Sequence, residues 1–174
     1  MFFAMDKFDV IIVGAGIAGI TTGYYLQKFF PNISYKIIES RSDLGGTWDQ
    51  MIFPGVRSDS DMYTYGFSFN PWQGPIIGQG KDIKNYLNET AQKYNIRENI
   101  LFNTQVSSFS WTDNQWITET SDKKYCSDYV YAVLGLEIIE LLIFQSSMGK
   151  KILQAKLYTL KLGVIQNIKA KKLL

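Results

Sequence analysis

Three glycines constrain this chain more than any other feature. Gly14, Gly16 and Gly19 stand directly behind a short β-branched run and directly ahead of a helical pattern. Residues 9–13 read as a buried strand, and residues 17–30 read as a helix stopped by Pro31. Residues 34–38 read as a second strand ending in Glu39. In such a strand–turn–helix unit, Gly14 permits the tight turn. Gly16 lets the backbone approach a pyrophosphate, and Gly19 lets helix and strand pack closely. The free N–H groups and the dipole of the helix N-terminus complement phosphate charge. Glu39 lies about 20 residues beyond the last glycine, the place for a carboxylate on adenosine ribose hydroxyls. Such an acid favours an unphosphorylated ribose, so FAD and NAD both remain open for this first site while NADP does not.

Composition removes other chemistries. The 174 residues include no histidine and one cysteine, Cys126. Ser-His-Asp and Cys-His nucleophile sets, histidine-ligated metals, internal disulfides and CxxC redox pairs are therefore excluded, and no metal site is expected. A lone Cys suits a reducing, cytoplasmic setting. The length accommodates one nucleotide-binding domain and not two. No secretory signal and no apolar run of transmembrane length is visible.

The rest of the chain reads more coarsely. Residues 40–80 are irregular and rich in Gly, Pro and aromatics. Residues 81–94 form an amphipathic helix with Ile83, Tyr86, Leu87, Ala91 and Tyr94 on one side. Residues 100–133 hold three alternating segments separated by polar turns, a β-meander whose last strand, 129–134, returns to the main sheet. The expected fold is an α/β, Rossmann-like three-layer domain with a parallel sheet and a small β-meander.

The segment Glu39-Ser40-Arg41-Ser42-Asp43-Leu44-Gly45-Gly46-Thr47-Trp48 is followed by Phe53-Pro54-Gly55, Arg57-Ser58-Asp59-Ser60-Asp61-Met62-Tyr63 and Tyr65-Gly66-Phe67-Ser68-Phe69. These motifs resemble the FAD domain of class B flavoprotein monooxygenases, and within them the Baeyer–Villiger branch, over residues 8 to about 132. The resemblance implies FAD as the cofactor. Gly14, Gly16 and Gly19 would hold its pyrophosphate, and Glu39 its ribose. Gly46, Thr47 and Trp48 would lie along the flavin half, Asp59 beside the isoalloxazine ring as the flavin-proximal catalytic position, and Tyr65 near it. Val106 would offer its backbone to the adenine. The family reaction uses NADPH and O2 to oxygenate ketones or sulfides. This chain shows no second GxGxxG and none of the family's NADP-binding basic residues, so it is expected to be a truncated FAD-binding portion unable to complete that reaction alone. A stand-alone FAD-binding or electron-transfer module and a small NAD-dependent oxidoreductase are the alternatives.

The family pattern stops near residue 132. Residues 1–132 carry 11 Lys+Arg against 14 Asp+Glu and 24 aromatics; residues 133–174 carry 7 against 2 and two aromatics. The genetic code supplies a reason. If codons are regrouped one base early, Leu162-Gly163 can read Trp, Tyr158-Thr159 His, Ile152-Leu153 Phe and Gln154-Ala155 Gly. That spacing reproduces the family's Phe-x-Gly-x-x-x-His-x-x-x-Trp fingerprint. The division expected is an FAD domain over 1–135 and a non-family, out-of-frame tail over 136–174. The tail's basic charge then reflects AAA-rich coding sequence, and no nucleic-acid or membrane partner is expected.

Overall fold

The computed structural model describes residues 5–134. The expected tail, 136–174, lies outside the described residues. One six-stranded sheet runs through the described chain. Its strands are β1 (Asp6–Val13), β2 (Tyr35–Ile38), β3 (Ile100–Leu101), β4 (Val106–Thr112), β5 (Gln115–Thr120) and β6 (Lys124–Ala132), in the order β3-β2-β1-β6-β5-β4. β1 pairs in parallel with β2 and β6, and β2 with β3; β4, β5 and β6 are joined antiparallel. This is a mixed, mostly parallel Rossmann-like α/β sheet. Among the described residues, no helix is long and apolar enough to cross a membrane.

Alternation along β1 sends side chains to two layers. Val10 and Ile12 join Tyr35 and Ile37 in the larger cluster, under α1 (Ile17–Phe29) and α4 (Gly80–Lys93). Ile11, Val13 and Ile38 face the other way, where Val106 and Phe109 of β4 pack over them. Val10 to Val13 are all buried, as a parallel strand covered on both faces requires.

Helix α1 contains Gly19, Gly23 and two threonines, all modest helix formers. Packing, not propensity, explains its formation. A Cβ on Gly19 would come 2.0 Å from the Gly14 carbonyl oxygen, so only glycine lets the helix sit this close to the strand exit. Helix α4 forms through its stripe. Ile83, Tyr86, Leu87, Thr90 and Ala91 are buried, Asp82 sits in the first turn and Lys93 in the last, which suits both the amphipathic pattern and the helix dipole.

Two expectations need correction. The last strand of the meander returns to the main sheet as expected, but it does not run over 129–134. β6 begins at Lys124 and pairs along both edges, with Tyr125↔Asp6 on one side and Tyr125↔Thr118 on the other. Its polar opening residues are strand because two neighbours supply hydrogen bonds, not because of their own pattern. β1 likewise starts at Asp6 instead of residue 9, because Asp6, Lys7 and Phe8 pair with β6; pairing with β2 begins at Val10. The region 40–80 is irregular, as expected, apart from two single-turn helices, α2 (Thr47–Gln50) and α3 (Met62–Tyr65). It is held by aromatic packing: Phe69 stacks on Tyr24 with centroids 3.6 Å apart. The buried Tyr86 hydroxyl accepts the Phe67 N–H at 2.7 Å and donates to the Asn70 carbonyl.

Candidate functional site

The carboxyl end of β1 turns sharply at Gly14, whose φ is +106°. That conformation suits glycine, which has no Cβ to clash. The Gly14 N–H donates to the Ile38 carbonyl at 2.8 Å. On the other side the Val133 carbonyl oxygen occupies the space a Cβ would need, 2.6 Å from its ideal position. The turn is thus wedged between the ends of β2 and β6.

Glu39, at the end of β2, is 6% exposed. One carboxylate oxygen accepts the Ala15 N–H at 2.7 Å, and the other accepts the Arg41 N–H at 2.9 Å and the Ser40 hydroxyl at 3.3 Å. The Ala15 carbonyl in turn accepts the Gly45 N–H at 3.0 Å. This buried carboxylate therefore holds the glycine turn through Ala15. An anionic carboxylate keeps unused lone pairs beyond these bonds.

Gly16 forms the N-cap of α1 in extended conformation, and no side chain caps the helix. A Cβ on Gly16 would lie 3.6 Å from the Gly46 Cα, an ordinary contact. Gly46, with φ of +54°, opens α2 and faces Gly16. The two glycine pairs, 14/16 and 45/46, are thereby brought together at the N-terminus of α1.

Thr47 is exposed. Trp48 is half-buried, and its ring meets Tyr65 edge-on at 6.5 Å. The Trp48 indole N–H is buried and has no hydrogen-bond partner among the described residues. A buried indole donor normally finds an acceptor, so this one suits an acceptor brought by a ligand. Asp59 is exposed, touched by the Ser60 hydroxyl at 3.4 Å. It lies in an open cleft of about 520 Å³ with Phe53, Gly55, Val56, Arg57, Ser58 and Ile77. Val106 sits at the irregular start of β4, opposite Thr120 and packed toward Ile11 and Val13. These contacts join Gly14, Gly16, Gly19, Glu39 and Gly46 in one cluster and Trp48 with Tyr65 in another; Asp59 and Val106 stand in their own surroundings.

Sequence reasoning missed the ionic frame around Gly45–Gly46. Lys84 on α4 reaches both Asp49 and Asp43, Arg41 pairs with Asp49, and Arg97 pairs with Asp43 at 3.1 Å. Burial pushes both carboxyl groups up, but hydrogen bonds from Lys84, with the Leu44 N–H and Arg97 at Asp43 and Arg41 at Asp49, outweigh it and hold them below their usual range. The Lys84 ammonium is held above its usual range, chiefly by its hydrogen bond to Asp49. The signal available in the sequence is weak: charges far apart in the chain with no shared periodicity.

Comparison with known proteins gives the geometry its context. The family described as NAD(P)-binding Rossmann-like domain matches residues 12–87. The FAD-containing monooxygenase EthA of Mycolicibacterium smegmatis is 49% identical over 121 residues, covering 67% of this chain and 25% of that protein. The probable FAD-binding monooxygenase AlmA of Acinetobacter baylyi is 43% identical over 122 residues, 68% of this chain and 24% of that one. Among solved structures, a cyclohexanone-bound cyclohexanone monooxygenase superposes with a TM-score of 0.71 at 25% identity, over 77% of this chain and 28% of its own. An oxidised steroid monooxygenase bound to NADP gives 0.70 at 26%, over 74% and 26%. The chain spans about a quarter of the length of these relatives.

Proposed function

We propose that this chain, a homologue of FAD-containing monooxygenases over two thirds of its length, is the FAD-binding portion of such an enzyme. One observation carries the reading: the turn Gly14–Gly19 at the strand exit is held open by the buried carboxylate of Glu39. That is the arrangement a dinucleotide pyrophosphate and ribose require. The indole N–H of Trp48 fits the same group, since it needs an acceptor that the described residues do not provide.

In this reading Gly14, Gly16 and Gly19 frame the pyrophosphate at the uncapped α1 N-terminus, and Glu39 accepts from ribose hydroxyls with its spare lone pairs. Gly46, Thr47 and Trp48 follow the flavin half. Asp59 and Tyr65 border the ring, beside the cleft at Phe53 and Ile77, and the Val106 backbone serves the adenine. When bound, the flavin supplies the redox chemistry by which such enzymes oxygenate substrates with NADPH and O2. The chain's own residues would bind and orient it, with the Trp48–Tyr65 edge contact beside it. The chain carries one glycine fingerprint and spans about a quarter of the length of these relatives, as the FAD-binding portion alone would. A cytoplasmic setting goes with this reading, on the strength of the single cysteine. The domain spans 1–135, and the segment 136–174 is read as out-of-frame sequence, which resequencing the gene tests directly.

The absorption spectrum of the purified chain tests the cofactor. A visible flavin band with one FAD per chain is expected. A colourless chain that takes up NADH and ignores FAD in titration overturns the reading in favour of a small NAD-dependent oxidoreductase.

A further inference from the structure

The glycine pair 45/46 has no regular element of its own to fix it. Gly45 carries a φ of +130° and Gly46 one of +54°, and a helix of a single turn follows them. One turn is too short to hold itself. The position of the pair is nevertheless defined, because the Gly45 N–H reaches the Ala15 carbonyl. Something must hold the segment from the far side. That side is α4. The Lys84 ammonium bridges Asp43 at 3.2 Å and Asp49 at 2.5 Å, the two carboxylates that flank the glycines in sequence. The Lys84 stem also lies across Gly45: a Cβ built there would be 3.5 Å from Lys84 Cγ and 3.2 Å from Asp49 Cβ. Arg41 and Arg97 take the outer oxygens of Asp49 and Asp43, so neither carboxylate relies on Lys84 alone.

We infer that Lys84 is a positioning residue for the cofactor: by bridging Asp43 and Asp49 it presses Gly45–Gly46 against the Ala15–Gly16 turn, setting the gap the dinucleotide enters. This rests on the FAD reading above. Lys84 touches no cofactor atom in this scheme; it acts through the glycines. The side chains of Lys84 and Asp49 are 30% and 11% exposed. Solvent therefore screens this bridge less than a surface pair. Hydrogen bonds from Lys84 and the arginines hold both carboxyl groups below their usual range.

The test uses the full chain and two variants. Lys84→Met keeps the stem over Gly45 and removes the bridge, whereas Lys84→Arg keeps a charge able to span both carboxylates. FAD titration by flavin fluorescence should show the dissociation constant rising about tenfold in Lys84→Met, an ordinary coupling between two sites, and returning to within about twofold in Lys84→Arg. Amide exchange on the FAD-free chains gives the second readout. The Gly45 N–H should exchange faster in Lys84→Met while the Ile12 N–H in β1 keeps its protection. Unchanged FAD affinity and Gly45 exchange in Lys84→Met overturn the inference. Faster exchange at Gly45 and Ile12 together also overturns it, because Lys84 is then a general stabiliser. A parent chain that takes no FAD defeats the cofactor reading separately, and Gly45 exchange still decides whether Lys84 positions the loop.

Discussion

The Glu39 carboxylate and the Ala15 N–H are joined by a buried 2.7 Å hydrogen bond. The residue proposed to meet the ribose is therefore part of the turn proposed to meet the pyrophosphate. In that reading binding and folding share one side chain.

That sharing sets the outcome of Glu39→Ala. The Ala15 and Arg41 N–H groups lose their acceptor, and an unsatisfied buried donor costs about 1–3 kcal/mol. Urea unfolding of the FAD-free chain should register a loss in that range, alongside weaker FAD binding. Were the FAD-free chain as stable as the parent, the Ala15 bond would contribute nothing.

Gly16 and Gly19 should separate cleanly. Alanine at Gly19 drives a Cβ into the Gly14 carbonyl oxygen. Gly19→Ala should therefore cost several kcal/mol, about the upper end of single-residue effects. Alanine at Gly16 meets the Gly46 Cα at an ordinary 3.6 Å. Gly16→Ala should keep its thermal midpoint and lose FAD, because the methyl occupies the approach to the pyrophosphate. Circular dichroism melts paired with flavin titration distinguish the two.

Tyr86→Phe removes a buried hydroxyl that joins Phe67 and Asn70 in the aromatic region 40–80. The phenol is neutral and able to donate at physiological pH, and burial pushes it further above its ordinary range. The variant should lose about 1–3 kcal/mol, since the buried Phe67 N–H is left unpaired. Chemical denaturation measures it; a neutral result would mean the loop re-pairs that N–H.

Acid should destabilise the chain with a defined sign. Asp43 and Asp49 have folded values below their ordinary 3.8, so the unfolded chain takes up protons first. Their contribution is fully present above that value and is lost as pH falls through the folded values. Asp9, lowered by hydrogen bonds from the Ser34 hydroxyl and N–H, acts in the same direction. Urea midpoints measured downward from neutral pH should hold and then fall below about pH 4, near the unperturbed carboxylate values. In Lys84→Met the fall should be shallower but not absent, because Asp9 keeps its partners.

The parts legible in sequence are those decided locally. Val10 to Val13, the three glycines, α1 and Glu39 follow one another in the order the fold needs. The stripe from Ile83 to Ala91 announces α4 by itself. The turn at Asp113-Asn114, both at positive φ, is readable from residue types that tolerate that conformation. What escapes the sequence depends on distant partners. Tyr125 to Ser127 carry no strand pattern of their own and become strand by pairing with both β1 and β5. The two-residue β3 is too short for any periodicity. Glu39 is legible as an acid at a strand end, but its bond to Ala15 arises only when the turn folds back. The ionic frame joins Arg41, Asp43 and Asp49 to Lys84 and Arg97, residues that share no element.

β6 also dictates an order of events during synthesis. Val13 pairs with Ala132 across more than a hundred residues of intervening chain, and the Val133 carbonyl fills the hollow beside Gly14. A nascent chain that has produced β1, α1 and β2 holds all three glycines and Glu39, yet the edge of β1 that β6 will cover is still bare. The β6 side of the glycine turn is covered only when residue 133 is in place. Such late, long-range closure slows folding and leaves apolar strand surface open in the interval. A chain halted before that point carries all three glycines and Glu39 with the β6 side of the turn still uncovered.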